Sequence, residues 1–289
     1  MEKITRFISH RIPRELSFQG PQGILQASHW LPEETAASYD NLIVFFHGGY
    51  FVANDSESLT SLFHDLTSIP ANTALLVLHY TLASTSPFPA ALEDGYSALL
   101  WAVRNSKALK WSGANLIVAG IEAGANLAAS VALVCRDRKM PLLSGQLLIM
   151  PMLDPGLTSG SMRDAHEEPA QLSAANRCVH GYRQYLPDVV DRLHPYASPL
   201  NAHRLKDLPP ALILSADADP LRDEAETYAS RLITAGIATS TLRLAAFPLD
   251  DHNARSACAA GSEAVSAIAA FLHTIQHRPK PSKPPAMSI

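Results

Sequence analysis

Charge, cysteine and long apolar runs are all scarce in this 289-residue sequence, and each shortage excludes a class of protein. Asp, Glu, Lys and Arg make up 17% of the residues, with a formal net charge of −4. The basic residues are scattered along the chain rather than striped, so no nucleic-acid partner is expected. Three cysteines, Cys135, Cys178 and Cys258, lie far apart without a C-x-x-C pair. That spacing excludes a disulfide framework and a cysteine zinc cage. His166, His180, His194 and His203 lack metal-ligand spacing as well, so neither a metal nor a cofactor is expected. No apolar run reaches the roughly 18 residues of a membrane span. The opening stretch, MEKITRFISHRIPREL, lacks the apolar core of a signal peptide. The expectation is a cytoplasmic protein whose partner is a small-molecule substrate, with a homodimer left open.

Apolar residues are plentiful, at 47%, which is ample for a large core. Short apolar runs at 41–46, 74–80, 115–119, 145–150, 211–216 and 239–246 read as buried strands. Helical patterns fall between and after them, at about 56–68, 90–105, 123–137, 221–235 and 258–276. Continuous apolar strands alternating with helices imply an α/β fold, a doubly wound and mostly parallel sheet covered on both faces. Such sheets place their sites beyond the carboxyl ends of the strands. Residues 155–208 break the alternation with prolines, polar residues and four histidines. A structureless loop of that length is improbable, so this segment reads as a small helical cap insertion with short helices. The expected organisation is a single domain over 1–276 carrying that cap, then a proline-rich disordered tail over 277–289.

Four features carry chemistry, and each follows a strand. His47-Gly48-Gly49-Tyr50-Phe51 sets adjacent glycines where backbone N–H groups can face a ligand, as an oxyanion hole requires. Gly120-Ile121-Glu122-Ala123-Gly124 has the layout of a nucleophile elbow, G-x-S-x-G, with Glu122 at the apex where serine belongs. Asp219 lies in Asp217-Ala-Asp219-Pro-Leu-Arg-Asp223-Glu224, and His252 follows the last strand. The order nucleophile, acid, histidine is that of the α/β-hydrolases. Taken alone, Asp219 reads as the cap of the helix beginning near Pro220, and His252 as an ordinary loop histidine. Ser112 and Ser130 are the nearest serines; one precedes the strand and the other lies two turns into the helix.

From about Leu16 to Leu272 the chain resembles the hormone-sensitive-lipase-like branch of the α/β-hydrolase fold, which contains many bacterial carboxylesterases. HGGYF is similar to that family's H-G-G-G-F, and Gly120–Ala128 to G-D-S-A-G-G-N-L-A. His79-Tyr80-Thr-Leu-Ala83 with Phe88-Pro-Ala-Ala-Leu-Glu-Asp94 resembles Y-R-L-A-P-E…F-P-A-A-x-x-D. Ala197-Ser-Pro-Leu200, Leu208-Pro-Pro and Asp219-Pro-Leu-Arg-Asp-Glu224 resemble S-P-L, L-P-P and D-P-L-R-D-E. The resemblance implies an α/β-hydrolase fold, with Asp219 as triad acid and His252 as triad base. It implies oxyanion and substrate-binding roles for Gly48, Gly49, Tyr50 and Ala123. The departures cluster at one end: Glu122 for serine, Ile121 for aspartate, Ala125 for glycine and Tyr50 for the third loop glycine. The region before the first strands also looks short for the family, which would leave a smaller cap and a more open site.

A carboxylate at the start of a helix beside a histidine is expected to be ionised and to take up the oxyanion donors itself. The resulting reading is an esterase-like enzyme with a Glu122–His252–Asp219 site and altered activity. It would act by acid–base chemistry on a small carbonyl, ester or lactone-like substrate, through hydrolysis, elimination or cyclisation. A non-catalytic pseudo-esterase that binds a ligand or partner is the alternative. A further alternative is covalent attack by Glu122 on epoxides or alkyl halides, with Tyr182 and Tyr185 as candidate acids.

Overall fold

A computed structural model of the protein describes residues 13–32, 36–69, 72–249 and 253–278. In chain order the elements are β1 (Arg14–Gly20), β2 (Gly23–Trp30), β3 (Tyr39–Phe46), α1 (Thr60–Ser68), β4 (Thr73–His79), α2 (Ala90–Arg104), β5 (Trp111–Ile121) and α3 (Ala123–Arg138). They continue with β6 (Gly145–Ile149), α4 (Gly160–Asp164), α5 (Pro169–Tyr185), β7 (Ala211–Ala216), α6 (Arg222–Thr234), β8 (Thr239–Leu244), α7 (Ala254–Ala259) and α8 (Ser262–Gln276). One eight-stranded sheet runs in the order β1-β2-β4-β3-β5-β6-β7-β8. Every pairing from β4 to β8 is parallel, while β1 and β2 attach antiparallel at the edge.

Side chains alternate across β3 as the pleat requires. Leu42, Val44 and Phe46 enter one apolar core, with Leu99 of α2, Leu127 of α3 and Leu232 of α6. Ile43 and Phe45 enter the other, with Leu62 of α1 and Ile268 of α8. Burial on both faces explains why these strands read as continuous apolar runs. A slip of one residue would exchange the two sets, so the register is firmly specified.

That register positions the site. β3 and β5 are neighbours, with Phe46 opposite Gly120, and the chain leaves β3 towards β4 on one side but returns to β5 on the other. The crevice of a doubly wound sheet opens at such a switch point. The glycine loop after β3 and the elbow after β5 therefore meet.

Three details differ from the sequence reading. The β1–β2 hairpin was not among the predicted strands, because β1 is half exposed and its apolar residues are few. The helix predicted over 258–276 is interrupted at Gly261, whose extended backbone (φ −67°, ψ 150°) separates α7 from α8. Within 155–208 lie α4, α5 and two short 3-10 turns, and α5 is not short, at 17 residues. Among the described residues no helix is long and apolar enough to cross a membrane. Residues 279–289, most of the expected tail, lie outside those described.

Candidate active site at the strand ends

Glu122 occupies the turn between β5 and α3 with φ 56° and ψ −116°. A residue with a Cβ in that region carries strain of order 1–3 kcal/mol and persists only where its surroundings hold it. Here its N–H donates to Ile149 O at 2.9 Å, and its carbonyl accepts from the N–H groups of Ala125, Asn126 and Met152. The bracketing glycines are demanded by packing. A Cβ on Gly124 would stand 2.0 Å from Phe46 O, and one on Gly120 would stand 2.3 Å from the Gly124 carbonyl carbon. The sharp turn thus survives whatever side chain sits at its apex. Neither nearby serine reaches that apex: Ser130 Oγ is buried against Asn126 Oδ1, and Ser112 Oγ bonds Asp40.

The facing loop is braced from below. The His47 ring stacks on Tyr80 at 4.2 Å, and Tyr80 Oη donates to His47 O. Burial holds the His47 imidazole neutral, with its pKa lowered to about 4. Gly49, Tyr50 and Phe51 then follow with φ of 96°, 55° and 66°. This path turns the Gly49 carbonyl onto the N–H groups of Val52 and Ala53 and aims the Tyr50 N–H at Glu122. Tyr50 N–H donates to Glu122 Oε1 at 2.7 Å. Gly48 lies alongside, where an added Cβ would be 3.4 Å from Glu122 Oε2. Among the described residues, neither Gly49 nor Ala123 gives its N–H to this carboxylate.

At the other end, Asp219 is 1% exposed. Its Oδ1 accepts from the Leu221 N–H at 2.9 Å, the cap-like bond that its position before α6 suggested. Both its oxygens are also engaged by Arg255, from Nε at 2.6 Å and from Nη2 at 2.8 Å. Arg255 Nη1 donates to Tyr50 Oη at 2.7 Å and stands 3.8 Å from Glu122 Oε2. One buried guanidinium therefore joins Asp219, Tyr50 and Glu122. The sequence reading missed Arg255, which sits outside every motif. His252, expected as the base, lies outside the described residues.

Glu122 is 5% exposed, and burial pushes its pKa up from the usual 4.5 to about 7. The Arg255 charge and the Tyr50 N–H oppose that rise without cancelling it. This tempers the expectation of an ionised group, since desolvation outweighs the favourable helix start and cation. The carboxylate does take up an oxyanion-type donor, as expected.

An open cleft of about 640 Å³ adjoins the site, bounded by Gly49, Tyr50 and Val52 on one side and by Leu172, Arg177 and His180 of α5 on the other. Glu122 is not in its wall, whereas Tyr50, whose N–H bonds Glu122, is. Tyr50 Oη accepts from Arg177 Nε at 3.0 Å as well as from Arg255. α5 lies close because Gly181 has no side chain: a Cβ there would be 2.3 Å from Tyr50 O. Tyr182 and Tyr185 are buried beside Phe51, with Tyr185 stacked on it at 4.0 Å, and neither lines the cleft.

Comparison with known proteins agrees with this architecture. The family model for the alpha/beta hydrolase fold matches residues 43–248. The carboxylic ester hydrolase LipN of Mycobacterium tuberculosis is 35% identical over 275 residues, covering 90% of this chain and 71% of LipN. An arylesterase of Saccharolobus solfataricus is 33% identical over 205 residues, 71% of this chain and 66% of that protein. Among solved structures, the thermostable carboxylesterase EstE1 from a metagenomic library superposes with a TM-score of 0.84 at 28% identity, covering 94% of this chain and 92% of its own. A fungal esterase from Rhizomucor miehei gives 0.82 at 29% identity, covering 93% and 85%. With a sheet, an elbow and a glycine loop in the matching order, the chain belongs to the α/β-hydrolase fold family, in its carboxylesterase-like, hormone-sensitive-lipase-like branch.

Proposed function

We propose that this protein has left serine-type ester hydrolysis and uses Glu122 as a proton-exchanging carboxylate on a small carbonyl, ester or lactone-like substrate. The observation that carries this reading is a carboxyl at the elbow apex, bonded to the glycine loop and buried so that its pKa is pushed up to about 7. A group balanced between its two forms at the working pH is what general acid–base catalysis needs. As carboxylate it would take a proton from an attacking water or from the substrate; as carboxylic acid it would return that proton to the departing oxygen. His252 and Asp219 retain their proposed roles as base and acid, with Arg255 sharing the Asp219 carboxylate.

That last point supports a second reading, a non-catalytic binder descended from an esterase. Both oxygens of Asp219 already accept from Arg255, and the apex is almost closed to solvent. The covalent alternative, attack by Glu122 on epoxides or halides, gains nothing, since its candidate acids Tyr182 and Tyr185 face the core.

A panel of short esters, lactones and β-substituted carbonyl compounds separates these readings. Acid–base function gives turnover that a serine-directed phosphonate does not stop and that Glu122→Gln abolishes. A binder gives ligand-dependent stabilisation without turnover. Turnover blocked by the phosphonate would overturn both.

A further inference from the structure

We infer that the cleft beside Tyr50 is a binding site for a small organic carboxylate with an apolar body, and that Arg177 is its anchor. The observation is a convergence of charge on a neutral atom. Tyr50 Oη accepts from Arg255 Nη1 at 2.7 Å and from Arg177 Nε at 3.0 Å. Arg255 is already neutralised by its two bonds to Asp219. Arg177 is not: among the described residues it donates, besides the phenol, only to Ser173 Oγ, and no carboxylate pairs with it. A guanidinium binds a carboxylate through two parallel charged bonds, which a phenol oxygen cannot match.

The walls suit the same ligand. Ser173, Asn176, Arg177 and His180 fall at helical spacing on one face of α5, and all four line the cleft. Among the described residues no Asp or Glu lines it. Leu172, Val52 and Ala53 supply apolar surface for the rest of the molecule. A volume of about 640 Å³ lies within the range of small-ligand pockets. A carboxylate arriving at Arg177 also competes with Tyr50 Oη for that guanidinium. The inference rests on binding alone and holds whether or not Glu122 turns the ligand over.

The test is calorimetric titration of the whole protein with 4-phenylbutyrate and hexanoate against their neutral amides, 4-phenylbutanamide and hexanamide. Each acid is expected to bind at least about tenfold more tightly than its amide, the ordinary worth of a charge-assisted bond. Added salt should narrow the gap. Arg177→Gln should erase the preference, and Arg177→Lys, which keeps the charge but loses the fork, should retain part of it. Unfolding midpoints of the free variants establish that each is folded. Equal affinity for acid and amide, no binding of either at millimolar concentration, or an undiminished preference in folded Arg177→Gln would each overturn the assignment.

Discussion

Arg255 grips Asp219 through two bonds, of 2.6 and 2.8 Å, in a place where both side chains are almost fully withdrawn from water. A pair this deeply buried contributes little compared with a well-packed apolar pair, yet removing one partner strands the other charge. Arg255→Met is therefore expected to destabilise the fold by about 3–5 kcal/mol, read by chemical denaturation. Asp219→Asn added to it should recover part of that loss. A single variant within about 0.5 kcal/mol of the parent would show that the pair is not formed in solution.

The same pair limits what a restored serine can do. Glu122→Ser is expected to give only weak hydrolysis of p-nitrophenyl acetate, because Arg255 shares the Asp219 carboxylate and draws on its charge. Adding Arg255→Ala should raise the rate by about tenfold or more, since a correctly oriented triad histidine is worth up to about 10⁴ in acyl transfer. Full esterase rates in Glu122→Ser alone would show that Arg255 does not hold the acid back.

Glu122 also sets a pH dependence of stability. Its folded pKa, about 7, lies above the usual 4.5, so the folded state holds the extra proton between those values. The contribution is fully present below about pH 4.5 and is lost as pH rises through 7, amounting to about 3 kcal/mol. Glu122→Gln should flatten that part of the stability curve. Parallel curves for the two proteins from pH 5 to 8 would contradict the assignment.

Packing of α5 against the glycine loop has its own test. Gly181→Ala would place a Cβ 2.3 Å from Tyr50 O, so helix and loop must separate. The expected cost is about 1–3 kcal/mol by thermal or chemical unfolding. A neutral or stabilising outcome would mean the two elements are not in contact.

How much of this was legible in the sequence depends on whether the signal was local. The parallel strands were legible because burial on both faces leaves a continuous apolar run, as in Asn41–Phe46. Gly120 and Gly124 marked the elbow because backbone packing forbids a Cβ at either position. Tyr50 was marked as a departure in the glycine loop, but not as the partner of Arg177 and Arg255, since that depends on where α5 and α7 fall. Arg255 was invisible for the same kind of reason. It lies 36 residues from Asp219 and in no motif, and only the fold brings the two together. The ionisation of Glu122 was misjudged because the helix start can be read locally, whereas burial cannot.

The measurement that bears most directly on the central claim is a carbon-13 NMR titration of the glutamate side-chain carboxyls, run on the parent protein and on Glu122→Gln. One resonance should titrate with a midpoint near 7 and be missing from the variant. The buried Glu224, whose pKa burial also raises, gives a signal that the variant keeps. If no resonance with a midpoint near 7 disappears in Glu122→Gln, then Glu122 is not the proton-exchanging group and the proposed chemistry fails.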